Sequence, residues 1–256
     1  TERGAAMTGF EDKCRQLRQM LNEAKHAVFF GGAGVSTDSG LADFRSRKQG
    51  LYNQPSGYGA TPEEILTPAY MLAHPAEFFE FYRTKLLNLA APPNSVHYAL
   101  AQMESAGLIK CVITQNADNL HQRAGSRNVI DIHGNVYENT CLDCGRRFPP
   151  EVVADCPGVP HCDVCGGMIR PGIVLFGEIP DMELTMQAIR ELNKCDLLII
   201  GGTSLKVSSA PRLLDRFKGR MAIINAEPTP FDERADIVIH GGIAEAFRLI
   251  WPEGHN

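Results

Sequence analysis

The chain has 256 residues, 44% of them hydrophobic and 21% charged, a balance that excludes a disordered or fibrous protein and suffices for one core with a small lobe. Its formal net charge of −5 comes without any long basic run, so direct nucleic-acid binding is not expected. No apolar stretch approaches the ~18 residues of a membrane span, and no basic segment followed by an apolar run marks a secretory leader, so the cytoplasm is the default location.

Thr1–Ala6 precede Met7 and are left outside the fold reading. A helix is expected at Gly9 to Lys25, then a strand at Ala27 to Phe30 followed by the glycine-rich stretch Gly31 to Gly40. Arg45 to Ala60 holds Gly50, Pro55, Gly57 and Gly59, a composition that favours a mobile loop. Pro62 to Leu89 reads as helices, with Glu63, Glu64 and Pro75 at first turns and an apolar set of Phe78, Phe79, Tyr82, Leu86 and Leu87. A helix at Asn94 to Gly107, capped by Asn94 or Ser95, leads to strands at Ile109 to Thr114 and Val129 to Ile132. A cysteine-bearing segment, about Glu138 to Arg170, interrupts the alternation. Strands then return at Leu197 to Ile200, Met221 to Ile224 and Ile237 to Ile239, with helices at Ala210 to Phe217 and Ala244 to Ile250. Short apolar runs alternating with helices define an α/β fold, a doubly wound, Rossmann-like parallel sheet. The two interruptions make a small lobe inserted at two places.

Two Cys-x-x-Cys pairs, Cys141/Cys144 and Cys162/Cys165, are separated by 17 residues. Each two-residue gap lets the chain fold back and present both sulfurs to one metal, so one tetrahedral Zn²⁺ is the expected occupant. Two disulfides or four unpaired thiols are the alternatives, and Cys156 or His161 could substitute as a ligand without keeping the gap. Cys111 and Cys195 lie beside apolar runs and read as core residues.

The strand ends are polar. Glycines between a strand and a helix N-terminus can bring backbone N–H groups to a pyrophosphate, although a tight packing turn explains Gly32 and Gly34 nearly as well. Beyond them, Arg45 could hold a phosphate and Phe44 could cover a reactive sugar. Gln115, Asn116 and Asp118 follow the second strand, where open α/β sheets place their ligand crevice, and a helix cap is the alternative for the last two. His121 falls on a helix and reads as structural. His133 ends another strand, with a pKa range suited to general base chemistry. Gly202, Thr203 and Ser204, and then Asn225 and Glu227, end two more strands and suit a nucleotide's phosphates and ribose hydroxyls.

In this order, Gly32-Ala33-Gly34-Val35-Ser36, Ser39-Gly40, Asp43-Phe44-Arg45, Thr114-Gln115-Asn116-Ala117-Asp118, His133-Gly134, the four cysteines, Phe176-Gly177-Glu178, Gly202-Thr203-Ser204 and Asn225 resemble the sirtuin family of NAD-dependent protein lysine deacylases, in its short bacterial-type form. The likeness runs from about Phe10 to Ile250. It implies one catalytic core over 7–256: an NAD-binding lobe of 7–46, 93–137 and 171–256, a cofactor loop with helical insert at 47–92, and a zinc module at 138–170. NAD is the implied co-substrate. Its contacts would be Gly32, Ala33, Gly34, Ser36, Thr37, Asp43, Phe44 and Arg45, with Gln115 and Asn116 at the nicotinamide ribose and Asp118 at the nicotinamide amide. His133, Gly202, Thr203, Ser204, Asn225, Glu227 and Ile243 complete the set. The acyl-lysine would lie beside Val174, Leu175 and Phe176, its backbone pairing between Gly177-Glu178 and Lys206-Val207.

In the implied reaction the acyl oxygen attacks the ribose carbon and displaces nicotinamide; His133, assisted by Asn116, then acts as general base on a ribose hydroxyl, which attacks the imidate carbon and leads to free lysine and O-acyl-ADP-ribose. Zinc would brace the small lobe, since four cysteines leave no open coordination position. Protein mono-ADP-ribosylation or NAD hydrolysis is the alternative chemistry, and a non-catalytic NAD-sensing acyl-lysine module is the alternative class. Acyl-lysine proteins are the implied partners, and a monomer is compatible with the sequence.

Three positions depart from the family pattern. Ala42 replaces a proline, Ala117 replaces a bulky aliphatic residue that packs on nicotinamide, and Ser209 stands where proline is common. Tyr82 and Arg83 are adjacent rather than three apart, so they do not form the tyrosine and arginine pair of desuccinylating relatives, and neutral acyl groups are expected. Two outcomes follow. Nicotinamide should inhibit the wild type less than Ala117→Ile, as inhibition constants for the two will show. Acetyl or longer neutral acyl peptides should be processed faster than succinyl peptides in a side-by-side assay.

Overall fold

Runs such as Ala27-Val28-Phe29-Phe30 and Leu197-Leu198-Ile199-Ile200 contain no polar side chain, as strands covered on both faces require. A computed structural model describes residues 9–43, 50–51, 56–206, 209–215 and 217–252. Its strands, in chain order, are β1 (Ala27–Gly31), β2 (Ile109–Thr114), β3 (Val129–Asp131), β4 (Asn139–Cys141), β5 (Arg147–Phe148), β6 (Ile169–Arg170), β7 (Leu197–Gly201), β8 (Arg220–Asn225) and β9 (Ile237–His240). Its helices are α1 (Gly9–Glu23), α2 (Pro62–Ile65), α3 (Pro68–Ala73), α4 (Pro75–Lys85), α5 (Ser95–Ser105), α6 (Leu120–Arg123), α7 (Glu151–Ala154), α8 (Met182–Lys194), α9 (Ser209–Leu214) and α10 (Ile243–Ile250).

Six strands form one sheet in the order β3-β2-β1-β7-β8-β9, every neighbouring pair parallel. Because side chains alternate along a strand, Ala27 and Phe29 enter a core with α1, α5 and α10, while Val28 and Phe30 enter a second core with α8 and α9. The chain runs outward from β1 to β3 and re-enters beside β1 as β7. A crevice therefore opens at the carboxyl ends of β1 and β7, where the strand order switches direction.

A third core joins the helical insert to the cysteine segment. Phe78, Phe79, Phe81 and Tyr82 of α4 pack with Val153, Cys141, Cys162 and Ile169, and Arg83 donates to the carbonyl of Gly158 at 2.9 Å. Strands β5-β4-β6 make a small antiparallel sheet in that segment. The insert is three helices because Pro68 and Pro75 each open a new one, where a missing N–H costs nothing.

Helix α8 was not among the expected elements, although Asp181 caps it through Leu184 N and Leu184, Ala188 and Leu192 recur every four residues. Helix α9 ends at Leu214, short of the expected Phe217. Asn94 caps α5 as expected, with His97 in the reciprocal role: the Asn94 N–H donates to His97 Nδ1 at 3.2 Å.

His97 and His121 meet edge to face, ring centroids 4.7 Å apart, and both are buried. Burial lowers the pKa of His97 to about 4; burial, then the neighbouring His97, lowers that of His121 to about 3. Unfolded, each ring would take up its proton near 6.5. Between these limits the unfolded chain binds more protons, so stability is lost as pH falls below about 6.5, with a slope of about 1.4 kcal/mol per pH unit per ring. His121→Phe should flatten the slope between pH 6.5 and 4 relative to wild type in urea unfolding.

Candidate active site

A cavity of about 1140 Å³ occupies the crevice, walled by the strand ends on one side and by Leu51, Leu66, Tyr82 and Leu86 of the third core on the other. It exceeds the roughly 300–1,000 Å³ of a single small-ligand pocket, leaving room for a dinucleotide and a side chain together.

The glycine stretch after β1 forms two short 3₁₀ turns, Ala33–Val35 and Thr37–Ser39, and no α-helix follows directly, contrary to the expected helix N-terminus. Packing accounts for Gly32 and Gly34. A Cβ on Gly32 would stand 2.7 Å from Thr203 Cβ, and one on Gly34 would stand 2.8 Å from Gly202 Cα. The Gly34 N–H donates to the Gly202 carbonyl at 2.8 Å, so the ends of β1 and β7 are fastened together. Gly32 itself does not line the cavity, whereas Ala33, Gly34, Ser36, Thr37 and Asp43 do. Phe44, Arg45 and Val207 lie outside the described residues.

Past β2, Asn116 donates from Nδ2 to the Gly32 carbonyl at 3.2 Å and to Ser36 Oγ at 3.0 Å. Ser36 Oγ donates in turn to Asp118 Oδ2 at 2.6 Å, and the Leu120 N–H donates to Asp118 Oδ1. Burial pushes the Asp118 carboxyl up, against the hydrogen bonds from Ser36 and Leu120 N. Gln115 accepts at Oε1 from Thr203 Oγ1 at 2.7 Å, tying the ends of β2 and β7. All three residues line the cavity, as does Ala117, which packs in the third core.

His133 follows β3, and its Nδ1 lies 3.1 Å from the Gln115 carbonyl. A carbonyl can only accept, so in the neutral ring Nδ1 carries the proton and Nε2 carries the lone pair. Its backbone is fixed from the other side. The Val174 N–H donates to the His133 carbonyl at 2.8 Å, and the Asn135 N–H donates to that of Gly172 at 2.8 Å. Gly134 has φ +78°, and a Cβ there would lie 2.1 Å from Gly172 O, so only glycine fits after the histidine.

Val174, Leu175, Phe176, Gly177, Glu178 and Lys206 line the same cavity, as do Gly202, Thr203, Ser204, Asn225, Glu227 and Ile243. Lining residues without a sequence expectation include Lys85, Arg212, Glu245 and Arg248, which no strand-end pattern marks. Arg170, beneath the 171–178 segment, was also missed, because its partner Glu178 lies eight residues on.

Cys141, Cys144, Cys162 and Cys165 bring their sulfurs within 4.8 Å of one another, with Cys141–Cys165 at 3.5 Å and Cys144–Cys162 at 3.7 Å. A tetrahedron with Zn–S bonds of about 2.3 Å has edges of about 3.8 Å, so the four sulfurs fit one Zn²⁺ and neither disulfides nor an alternative ligand is needed.

A model of the Sir2 family matches residues 32–209, and the chain belongs to that family, the sirtuins. It is 48% identical over 236 residues to an NAD-dependent protein deacetylase of Cutibacterium acnes, covering 92% of this chain and 96% of the relative. An NAD-dependent protein deacetylase of Clostridium acetobutylicum is 41% identical over 241 residues, covering 93% and 98%. Among solved structures, a Sir2 variant with deacetylated p53 peptide and 3′-O-acetyl ADP ribose superposes with a TM-score of 0.85 at 37% identity, covering 94% of this chain and 98% of that one. Sir2Tm bound to a propionylated peptide gives 0.81 at 37% identity, covering 92% and 96%.

Four closed thiolate ligands make zinc part of the fold. Cys144→Ser, or chelation, should remove one zinc per chain by elemental analysis, lower the melting temperature and stop activity; a zinc-free protein that stayed folded and fully active would contradict this.

Proposed function

We propose that the chain is an NAD-dependent protein lysine deacylase that removes acetyl and other neutral acyl groups, releasing nicotinamide, O-acyl-ADP-ribose and free lysine. The observation that carries this reading is the placement of His133, its Nδ1–H held by the Gln115 carbonyl, in one cavity wall with Asn116 and Asp118. NAD, when bound, supplies the ADP-ribosyl group and a positively charged leaving group. The protein's work is then orientation and shielding from water rather than a strong nucleophile.

In this reading Asp118, already accepting from Ser36 and Leu120, offers its remaining lone pairs to a carboxamide N–H. Asn116, held by its donations to Gly32 and Ser36, presents its side-chain carbonyl toward the ribose. His133 accepts a ribose hydroxyl proton at Nε2. The turn at Gly34 takes the phosphates, and Ser204 and Asn225 serve the adenosine half. The apolar wall of Ile173, Val174, Leu175, Phe176 and Leu66 receives the acyl-lysine, and the peptide pairs between Gly177-Glu178 and the segment at Lys206.

Neutral acyl groups suit that wall, and Arg83 is turned away to Gly158 and Val153. The relatives support the same choice: they are named deacetylases, and one solved structure holds a propionylated peptide. The division into an NAD lobe of 7–46, 93–137 and 171–256, an insert of 47–92 and a zinc module of 138–170 belongs to this proposal. So do the cytoplasmic setting and acyl-lysine proteins as partners. Among the described residues no helix is long and apolar enough to cross a membrane.

His133→Ala should lower deacylation by about 10²–10⁴-fold, with a smaller loss of NAD affinity. The decisive assay incubates wild type and variant with NAD and acyl-lysine peptides and records product masses. Absence of O-acyl-ADP-ribose from the wild type would overturn the proposal.

A further inference from the structure

We infer that Arg170 is a positioning residue for the substrate peptide: through Glu178 it holds the 171–178 segment in its binding shape. The inference rests on the deacylase reading and adds to it a residue that no strand-end motif contains.

Arg170 closes β6, whose pairing with β4 matches Ile169 to Cys141 and Arg170 to Thr140, so the backbone of the arginine is fixed. Its guanidinium then gathers both ends of the following segment. Nη1 donates to Glu178 Oε1 at 2.6 Å and Nη2 to Glu178 Oε2 at 3.0 Å, while Nε donates to the Pro171 carbonyl at 3.2 Å and Nη2 to that of Ile173 at 2.9 Å. Glu178 Oε2 also accepts from the Leu175 N–H at 2.8 Å. Burial alone would raise the Glu178 carboxyl, but the hydrogen bonds from Arg170 and Leu175 N outweigh it and hold the group below its ordinary range. The pair is charged, bidentate and only about a quarter exposed, at 24% and 23%, which distinguishes it from a solvated surface ion pair.

The inner side of the segment is held separately. The Val174 N–H donates to His133 O and the Phe176 N–H to Leu66 O, both at 2.8 Å. At the far end packing gives little help: Gly177 has φ +88°, and a Cβ there would meet nothing within 4 Å. Hydrogen bonds must therefore set the turn at Gly177 and Glu178, where the peptide is proposed to pair: the Glu178 N–H donates to the Leu175 carbonyl at 3.0 Å, and the Arg170 fork fixes the Glu178 side chain. Loss of the fork leaves the His133 side anchored and the peptide side held only by the bonds between Leu175 and Glu178. A lysine cannot replace it, since an ammonium presents no planar fork to a carboxylate and two carbonyls at once.

The test is steady-state kinetics of wild type, Arg170→Lys and Glu178→Gln, varying acetyl-lysine peptide and NAD separately, with zinc content and melting temperature recorded. Arg170→Lys should raise the peptide KM about tenfold while kcat and the KM for NAD stay within error. Glu178→Gln should raise it less, and the double variant should be no worse than Arg170→Lys alone, because both act on one clasp. An unchanged peptide KM in Arg170→Lys overturns the inference, as does a rise of both KM values together, which would mark general loosening. If the arginine variant does not fold, the peptide KM of Glu178→Gln decides alone. A wild type without deacylase activity would fail the deacylase reading instead, and anisotropy of a labelled acetyl-lysine peptide on wild type and Arg170→Lys would still judge the clasp.

Discussion

Water is excluded from both faces of the central strands, and most of the molecule's organisation follows from that. Every residue of β1 and β7 is buried, so no polar side chain can be carried along them without losing its hydration. Polar chemistry is confined to the places where strands stop. Gln115, Asn116, His133, Thr203 and Asn225 sit at such ends, and the change of direction between β1 and β7 opens the crevice into which they project. The site is therefore a product of the sheet's topology before any ligand is considered. Its hydrogen bonds run mostly between strand ends, from Asn116 to Gly32 and from Thr203 to Gln115, so the rim is one connected unit.

This constraint explains what could be read in the sequence. Buried parallel strands announce themselves as unbroken apolar runs, and the six predicted strands agree with the observed ones to within a residue at each end. The four cysteines were legible for a related reason: metal ligation fixes both residue type and spacing. What escaped was spread out or locally ordinary. Helix α8 is amphipathic, but its apolar positions are diluted among charged and polar residues. Arg170 looks like any exposed arginine until the 171–178 segment folds back over it. The glycines after β1 suit a ligand loop and a packing turn about equally in the sequence, and their absent side chains make room for the neighbouring strand end. A sequence shows that a side chain is missing but not which neighbour needs the space.

The small lobe solves a different problem. The cysteine segment has a sheet of only three short strands and little apolar surface of its own, so four thiolates and one metal replace the core it lacks. It gains the rest by sharing a core with α4, where Phe78, Phe79 and Tyr82 meet Val153 and Ile169. The stretches of chain that lead into and out of the cysteine segment are fastened to each other by backbone, through Asn135 and Gly172 and through Val174 and His133.

That fastening separates two tasks that share one loop. Gly134 and Gly172 let the two chains approach so closely that a Cβ on the first would lie 2.1 Å from Gly172 O and one on the second 1.8 Å from Glu138 O. The distance between His133 and Val174 is thus set by main-chain bonds. Side chains at 173–176 are free of that duty, so a lineage could exchange them without moving the histidine.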